Sequence, residues 1–233
     1  MSGIGHSVLR REDDALLKGK GCFMDDLDVP GQLHVWFVRS THPHAKLGSI
    51  ETTAAIESPG VVAVFTGADL IKAPVGMLQG LSALSNKDGT PIYIPAWPAM
   101  ALETVRYVGD TVAMVAAETR DAARDAAELV EVDYGELDSI TDLRNATDRA
   151  TVQLWPDCVD NVALDWERGD SLATDRVFAS AAHVSAVELV QNRIVVAAME
   201  TRGVLASYDA DTQVYLVQTP TQGVSMVQEP LAR

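Results

Sequence analysis

The residues of this chain whose types and spacing could do chemistry gather towards its C-terminal end. Met199-Glu200-Thr201-Arg202 sets a carboxylate and a guanidinium two positions apart, directly after the apolar run 194–198. Such a pair reads as a partly buried ion pair, as a hydrogen-bonded structural group, or as a catalytic carboxylate. The structural readings are preferred, because nothing nearby supplies a partner acid or base. Gln222 ends the stretch Val214-Tyr-Leu-Val-Gln-Thr-Pro-Thr-Gln222-Gly223. A side-chain amide at the C-terminal end of a strand stands where α/β proteins bind ligands, and it offers two donors and an acceptor carbonyl. His42-Pro-His44 has the residue types of a metal pair, but no third ligand lies near and the proline favours a structured turn. Cys22 and Cys158 are far apart, outside any CxxC or Cys/His spacing, and read as ordinary thiols. There is no GxGxxG after a strand, no P-loop, no GxSxG and no HExxH, so no self-contained catalytic signature is present.

The elements that must hold these residues follow from patterning. Thr111-Val-Ala-Met-Val-Ala-Ala117 is a short apolar run that predicts a buried strand. Thr119 then caps a helix whose Ala122, Ala123, Ala126, Ala127 and Val130 share one face, and 131–134 resumes an alternating strand. Before it, 33–39 predicts a strand, 52–57 a short helix stopped by Pro59-Gly60, and 61–65 another strand, after which 67–70 turns the chain away. The Gly-, Pro- and Ser-rich span 72–104 predicts a long ordered loop that covers something. Trp155 and Trp166 are expected to anchor the connection that follows. Asp170 or Ser171 opens a helix to about 182, and strands are predicted over 184–190, 203–208 and 214–219, the last two a hairpin turned by Asp209-Ala-Asp-Thr212. The chain stops ten residues after Gly223. A strand with a stub of helix cannot bury its apolar face alone, so the expectation is a piece of a larger catalytic assembly.

Composition narrows the class. A net charge of −15, from 18 basic and 33 acidic residues, argues against nucleic acid, which needs clustered Lys and Arg. No run approaches the ~18 apolar residues of a membrane span. The N-terminus has no apolar leader, and Arg10-Arg11 is followed at once by acidic residues, so the expectation is a cytoplasmic protein without a membrane span.

Several motifs together resemble a known family. They are Gly5-His-Ser-Val-Leu-Arg-Arg-Glu-Asp13, Leu17-Lys-Gly-Lys-Gly21, Asp25-Asp26 before Pro30-Gly31-Gln-Leu33, and Val38-Arg-Ser40. They continue through Ser58-Pro-Gly-Val-Val-Ala-Val-Phe-Thr-Gly-Ala-Asp69, Val105-Arg-Tyr-Val-Gly-Asp110, Val132-Asp-Tyr134, Asn161-Val162, Gly169-Asp170, the Met199–Arg202 run and Thr221-Gln222. In order and spacing the chain resembles the molybdopterin-binding large subunit of the xanthine dehydrogenase, aldehyde oxidase and carbon monoxide dehydrogenase family.

The resemblance implies a mixed α/β (α+β) fold. It comprises an N-terminal extension over 1–17, an aldehyde oxidase/xanthine dehydrogenase a/b hammerhead domain over 18–136 and a linker over 137–160. A truncated start of the first molybdenum-cofactor-binding domain then fills 161–233. It implies a molybdenum-dependent oxidoreductase that hydroxylates or oxidises a small aldehyde, N-heterocycle or carbon monoxide with water as the oxygen source. Gln222 takes the place of the family glutamine whose amide approaches the apical oxo ligand of molybdenum, with Glu200 and Arg202 supporting the site. The implied cofactor is molybdenum–molybdopterin in the cytosine dinucleotide form. FAD and [2Fe-2S] clusters would sit on a medium and an iron–sulfur small subunit. The family's GGFG segment and catalytic glutamate do not occur in these 233 residues. The chain alone is therefore expected to hold no catalytic residue, bind no cofactor and be inactive, needing the remainder of the large subunit or a complementing subunit. The alternative is a non-catalytic hammerhead-fold binding module or an inert fragment of a truncated gene.

Overall fold

The computed structural model describes residues 4–5, 7–73, 75–78, 80, 82–148 and 152–232. They form two compact units. One is drawn from 33–187 and the other from 1–32 together with 188–232.

The unit over 33–187 is built on two antiparallel three-stranded sheets. The first holds β1 (His34–Arg39), β5 (Thr111–Ala117) and β3 (Val61–Thr66), with β5 in the middle. The second has β2 (Ala45–Glu51) between β4 (Thr104–Val105) and β6 (Glu131–Glu136). Side chains alternate along β5, so it serves two cores at once. Ala113 and Val115 join Ala55, Ala126, Ala127 and Val130 in one cluster, while Val112 joins Ala45, Ala101 and Val105 in the other. That double burial explains why an antiparallel strand reads as a continuous apolar run.

Helix α4 (Arg120–Ala127) is the helix predicted there. The Ala122 N–H donates to Thr119 Oγ1 at 3.1 Å, and the buried Ala123, Ala126 and Ala127 allow close approach to the sheet. Helix α2 (Thr53–Ile56) also forms, burying Ala55. The strands on either side of α4 enter different sheets, so the strand–helix–strand unit is a connection between layers rather than a parallel crossover. Residues 67–70 do not simply turn. They open α3 (Gly67–Lys72), where Asp69 Oδ2 accepts from both the backbone N–H and the hydroxyl of Thr66 at 2.9 Å. Those two bonds, the backbone one first, hold the Asp69 carboxyl below its usual range.

The loop between α3 and β4 is ordered through most of its described length, and it covers residues 163–165. The Lys87 N–H donates to Asp165 O (2.7 Å), Tyr93 N–H to Ala163 O (2.9 Å), and Asp165 N–H to Asn86 Oδ1 (2.9 Å). Lys87 Nζ adds an ion pair to Asp165 at 2.7 Å. Trp155 is an anchor as expected, because the Arg106 guanidinium lies 5.2 Å from its ring centroid and Arg106 Nε donates to Leu154 O. Trp166 instead stays half exposed.

Asn161 ties the connection together. Its Oδ1 accepts from Leu154 N–H, and its Nδ2 donates to Ala146 O and Val152 O, all within 2.9–3.0 Å. Its backbone sits at φ 55°, in the left-handed region that asparagine tolerates better than alanine. Asn161→Ala is expected to destabilise this unit by about 2–3 kcal/mol, from lost bonds plus backbone strain. Urea unfolding of the two proteins side by side measures it.

The second unit is sparser. It contains α1 (Asp13–Leu17), a 3-10 turn over Met24–Asp26, the hairpin of β7 (Leu205–Asp209) with β8 (Val214–Gln218), and α6 (Val224–Leu231), whose last turn takes in Pro230. Helix α5 (Ser171–Ser180) belongs to the unit over 33–187 and is capped by Asp170, which accepts from Ala173 N–H at 2.8 Å. The predicted hairpin is present, turned by Asp209 Oδ1 accepting from the N–H groups of Asp211 and Thr212. The strand predicted over 184–190 is not. That stretch has no ladder partner among the described residues, and Val187, Leu189 and Val190 are largely exposed. A strand exists only by pairing, so its apolar residues fix no geometry alone.

Candidate functional site

The hairpin delivers both chemically promising stretches to one end. Leu205 pairs with Gln218, so the chain entering β7 and the chain leaving β8 run out side by side. Thr219 Oγ1 donates to Gly203 O at 3.0 Å and fastens them together. Met199–Arg202 lies on one side of this bond and Gln222 on the other. Past it, Thr221 Oγ1 accepts from Gly223 N–H at 3.1 Å, a tight turn that leads into α6. Gln222 sits inside that turn, exposed, and its amide has no hydrogen-bond partner among the described residues. A primary amide with free donors at the base of a helix suits an anionic or oxygen-rich ligand.

Glu200 and Arg202 do not form the ion pair their spacing suggested. Both are exposed and neither bonds to a described residue. In a stretch without regular structure, neighbouring side chains have no common face to meet on. Thr201, between them, does find a partner: its hydroxyl donates to Asp25 Oδ2 at 3.1 Å. Nothing in the local pattern signals a contact between residues 176 positions apart.

The other candidates resolve as structural groups. His44 is buried with Nδ1 2.7 Å from Asp138 O, so that nitrogen carries the proton. The His42 ring stacks on Tyr134 at 4.4 Å, and the His42 backbone N–H donates to Ser40 Oγ, which makes 42–44 the structured turn expected. The described residues contain no group of three His, Cys, Asp or Glu placed to hold a metal ion. Cys22 is exposed, while Cys158 is buried, and burial pushes its thiol pKa up. A groove of about 390 Å³ between β1, α4 and β6 is lined by Trp36, Phe37, Arg39, Glu128 and Tyr134 among others, and none of the site candidates reaches it. No helix of the described residues is long and apolar enough to cross a membrane.

Comparison with known proteins matches two family models along the chain. The family model described as aldehyde oxidase and xanthine dehydrogenase, a/b hammerhead domain, matches residues 18–138. The molybdopterin cofactor-binding domain model matches residues 154–233. The nicotine 6-hydroxylase large subunit of Paenarthrobacter nicotinovorans is 38% identical over 206 residues, which is 88% of this chain and 24% of that one. The structure of quinoline 2-oxidoreductase from Pseudomonas putida 86 superposes with a TM-score of 0.79 at 34% identity, covering 98% of this chain and 28% of that one. Reconstituted CO dehydrogenase from Oligotropha carboxidovorans gives 0.84 at 32% identity, covering 99% and 29%. The chain spans about a quarter of the length of the curated relatives it matches.

Proposed function

The chain belongs to the molybdopterin-binding large subunits of the xanthine dehydrogenase, aldehyde oxidase and carbon monoxide dehydrogenase family, as an N-terminal part, and on that premise we propose that it works within a molybdenum hydroxylase. The reaction class is oxidation or hydroxylation of a small aldehyde, an N-heterocycle or carbon monoxide, with water supplying the oxygen. Residues 18–136 serve as the hammerhead domain and 137–160 as a linker. Residues 161–233 begin the first cofactor-binding domain. The observation that carries the reading is the end of the hairpin. There the Thr219–Gly203 bond and the Thr221 turn hold an exposed Gln222 amide that has no partner among the described residues.

The residues present fit a molybdenum–molybdopterin group on that side. Gln222 would donate a hydrogen bond to the cofactor, and Glu200 and Arg202 would support the site's architecture across Gly203. When bound, the cofactor supplies the redox chemistry. The chain's own part is to orient it and to exclude water once the further cofactor domain of a large subunit covers exposed apolar residues such as Val187, Leu189, Ile194 and Val195. We assign the cytosine dinucleotide form of the cofactor, with FAD and [2Fe-2S] clusters on a medium and a small partner subunit, in the cytoplasm. These 233 residues lack GGFG and the family's catalytic glutamate, so they do not turn over by themselves.

The test is assembly. The purified chain is combined with a polypeptide carrying the GGFG segment and the C-terminal glutamate, and both molybdenum content and dye-linked oxidation are measured. Turnover and bound molybdenum in the combination alone are expected. Activity from the 233-residue chain with cofactor, or a combination that takes up no molybdenum, overturns the reading.

A further inference from the structure

We propose that Asp25 is a positioning residue for the Gln222 turn, acting through Thr201 as a brace across the open end of the β7–β8 hairpin. The role assigned to the turn rests on the reading above, but the brace stands on its own geometry. A two-stranded hairpin is marginal by itself. Here β8 is exposed along its whole length and β7 along all but Leu205, so little packing holds the end in place. What does hold it comes from the start of the chain. The Asp26 carboxylate accepts from Phe23 N–H at 2.8 Å and Leu27 N–H donates to Met24 O, which shapes the 3-10 turn over Met24–Asp26. With Asp26 engaged in the turn, Asp25 accepts from the Thr201 hydroxyl at 3.1 Å. Two residues on, a Cβ at Gly203 would lie 3.2 Å from Met24 Cβ, so the Gly203 backbone rests directly against this turn. Gly203 O in turn accepts from Thr219, three residues before Gln222. The adjacent acidic residues thus divide the work, one forming the turn and the other gripping the hairpin.

These contacts lie within the compact unit that takes in 1–32 together with 188–232. The hydrogen bond joins exposed side chains, so its net worth is modest, and the expected effect is local.

Hydrogen–deuterium exchange on the full 233-residue chain tests it. Asp25→Ala is expected to speed exchange at 201–205 and 218–223 by about three- to tenfold, leaving β1, β3 and β5 unchanged. Thr201→Val should match it, with no further effect in the double variant. Asp25→Asn keeps a carbonyl acceptor and Thr201→Ser keeps the hydroxyl, so both should stay near the parent. The Gln222 side-chain amide resonance should move in Asp25→Ala and Thr201→Val but not in the two conservative variants. Unchanged exchange, acceleration spread evenly over the unit, or failure of Asp25→Asn to rescue would each overturn the brace. None of these readouts needs molybdenum. A brace that holds while the assembly takes up no metal leaves this inference standing and removes only the cofactor reading.

Discussion

Replacing Gln222 by alanine in the proposed assembled enzyme is expected to lower turnover by about 10- to 100-fold, the range typical of groups that orient a metal site without ligating it. The same substitution shifts folding stability by no more than about 0.5 kcal/mol, because the side chain is exposed and no described residue bonds its amide. These two numbers belong together. A residue that matters to the fold loses activity and stability in proportion, whereas one that faces a bound group loses activity alone. Gln222→Glu sharpens the contrast. It keeps the size and the one acceptor oxygen but replaces the N–H donors with a second oxygen and a negative charge, so it should be at least as inactive as alanine and equally stable. Steady-state turnover, molybdenum content and thermal unfolding on the same preparations decide it. Matched losses in turnover and stability would make Gln222 structural and sink the assignment.

What could be read from sequence divides along physical lines. The helix α4 and the β7–β8 hairpin were legible because each is determined locally: Thr119 caps, alanines share a face, and Asp209 turns the chain. Residues 184–190 have a good strand composition and form no strand, because pairing is a property of neighbours and none of the described residues supplies one. Strand β2 failed in the other direction. Gly48 interrupts its pattern, yet the structure places it at a register shift against β6, where a Cβ would collide with the Asp133 carboxylate. Glycine in a strand often marks such a site of close approach. Helix α3 carried a signal that went unread, since Thr66 and Asp69 stand at capping-box spacing.

The candidate site divides the same way. Gln222 was read as an amide ending a strand, whereas β8 ends at Gln218 and Gln222 sits four residues on, in the turn before α6. The Asp25–Thr201 contact had no local signature, because it exists only after the two ends of the chain have met. The Glu200–Arg202 pair was over-read, because opposite charges two positions apart meet only when the backbone gives them a common face.

Val115→Asp is expected to destabilise the unit over 33–187 at neutral pH more than any other substitution proposed for it, while leaving an unfolding transition that can be followed. Val115 is fully buried at the centre of β5, paired across from Trp36 on β1 and Val64 on β3, and packed with Ala55, Ala126, Ala127 and Val130. Val115→Ala removes two methyl groups and should cost about 1.5–3 kcal/mol. The aspartate loses the same packing and places a carboxyl among side chains that offer no hydrogen bond, for a total above about 4 kcal/mol, a large share of a typical domain's 5–15. Burial disfavours the charged form, so the introduced carboxyl has its folded pKa raised above its unfolded value. The penalty is then smallest below the unfolded pKa, where both states are protonated, and grows as pH rises above it. Unfolding followed at about pH 4 and pH 7 should therefore show the deficit widening with pH, the opposite of the trend for a native carboxylate held charged, such as Asp69. Val62→Asp is the control. Val62 lies on β3 at a register shift and is more than half exposed, so the same charge there should cost under about 1 kcal/mol at either pH. Equal behaviour of the two variants would mean that β5 does not lie between two packed layers, and the double-core arrangement of this unit would have to be abandoned.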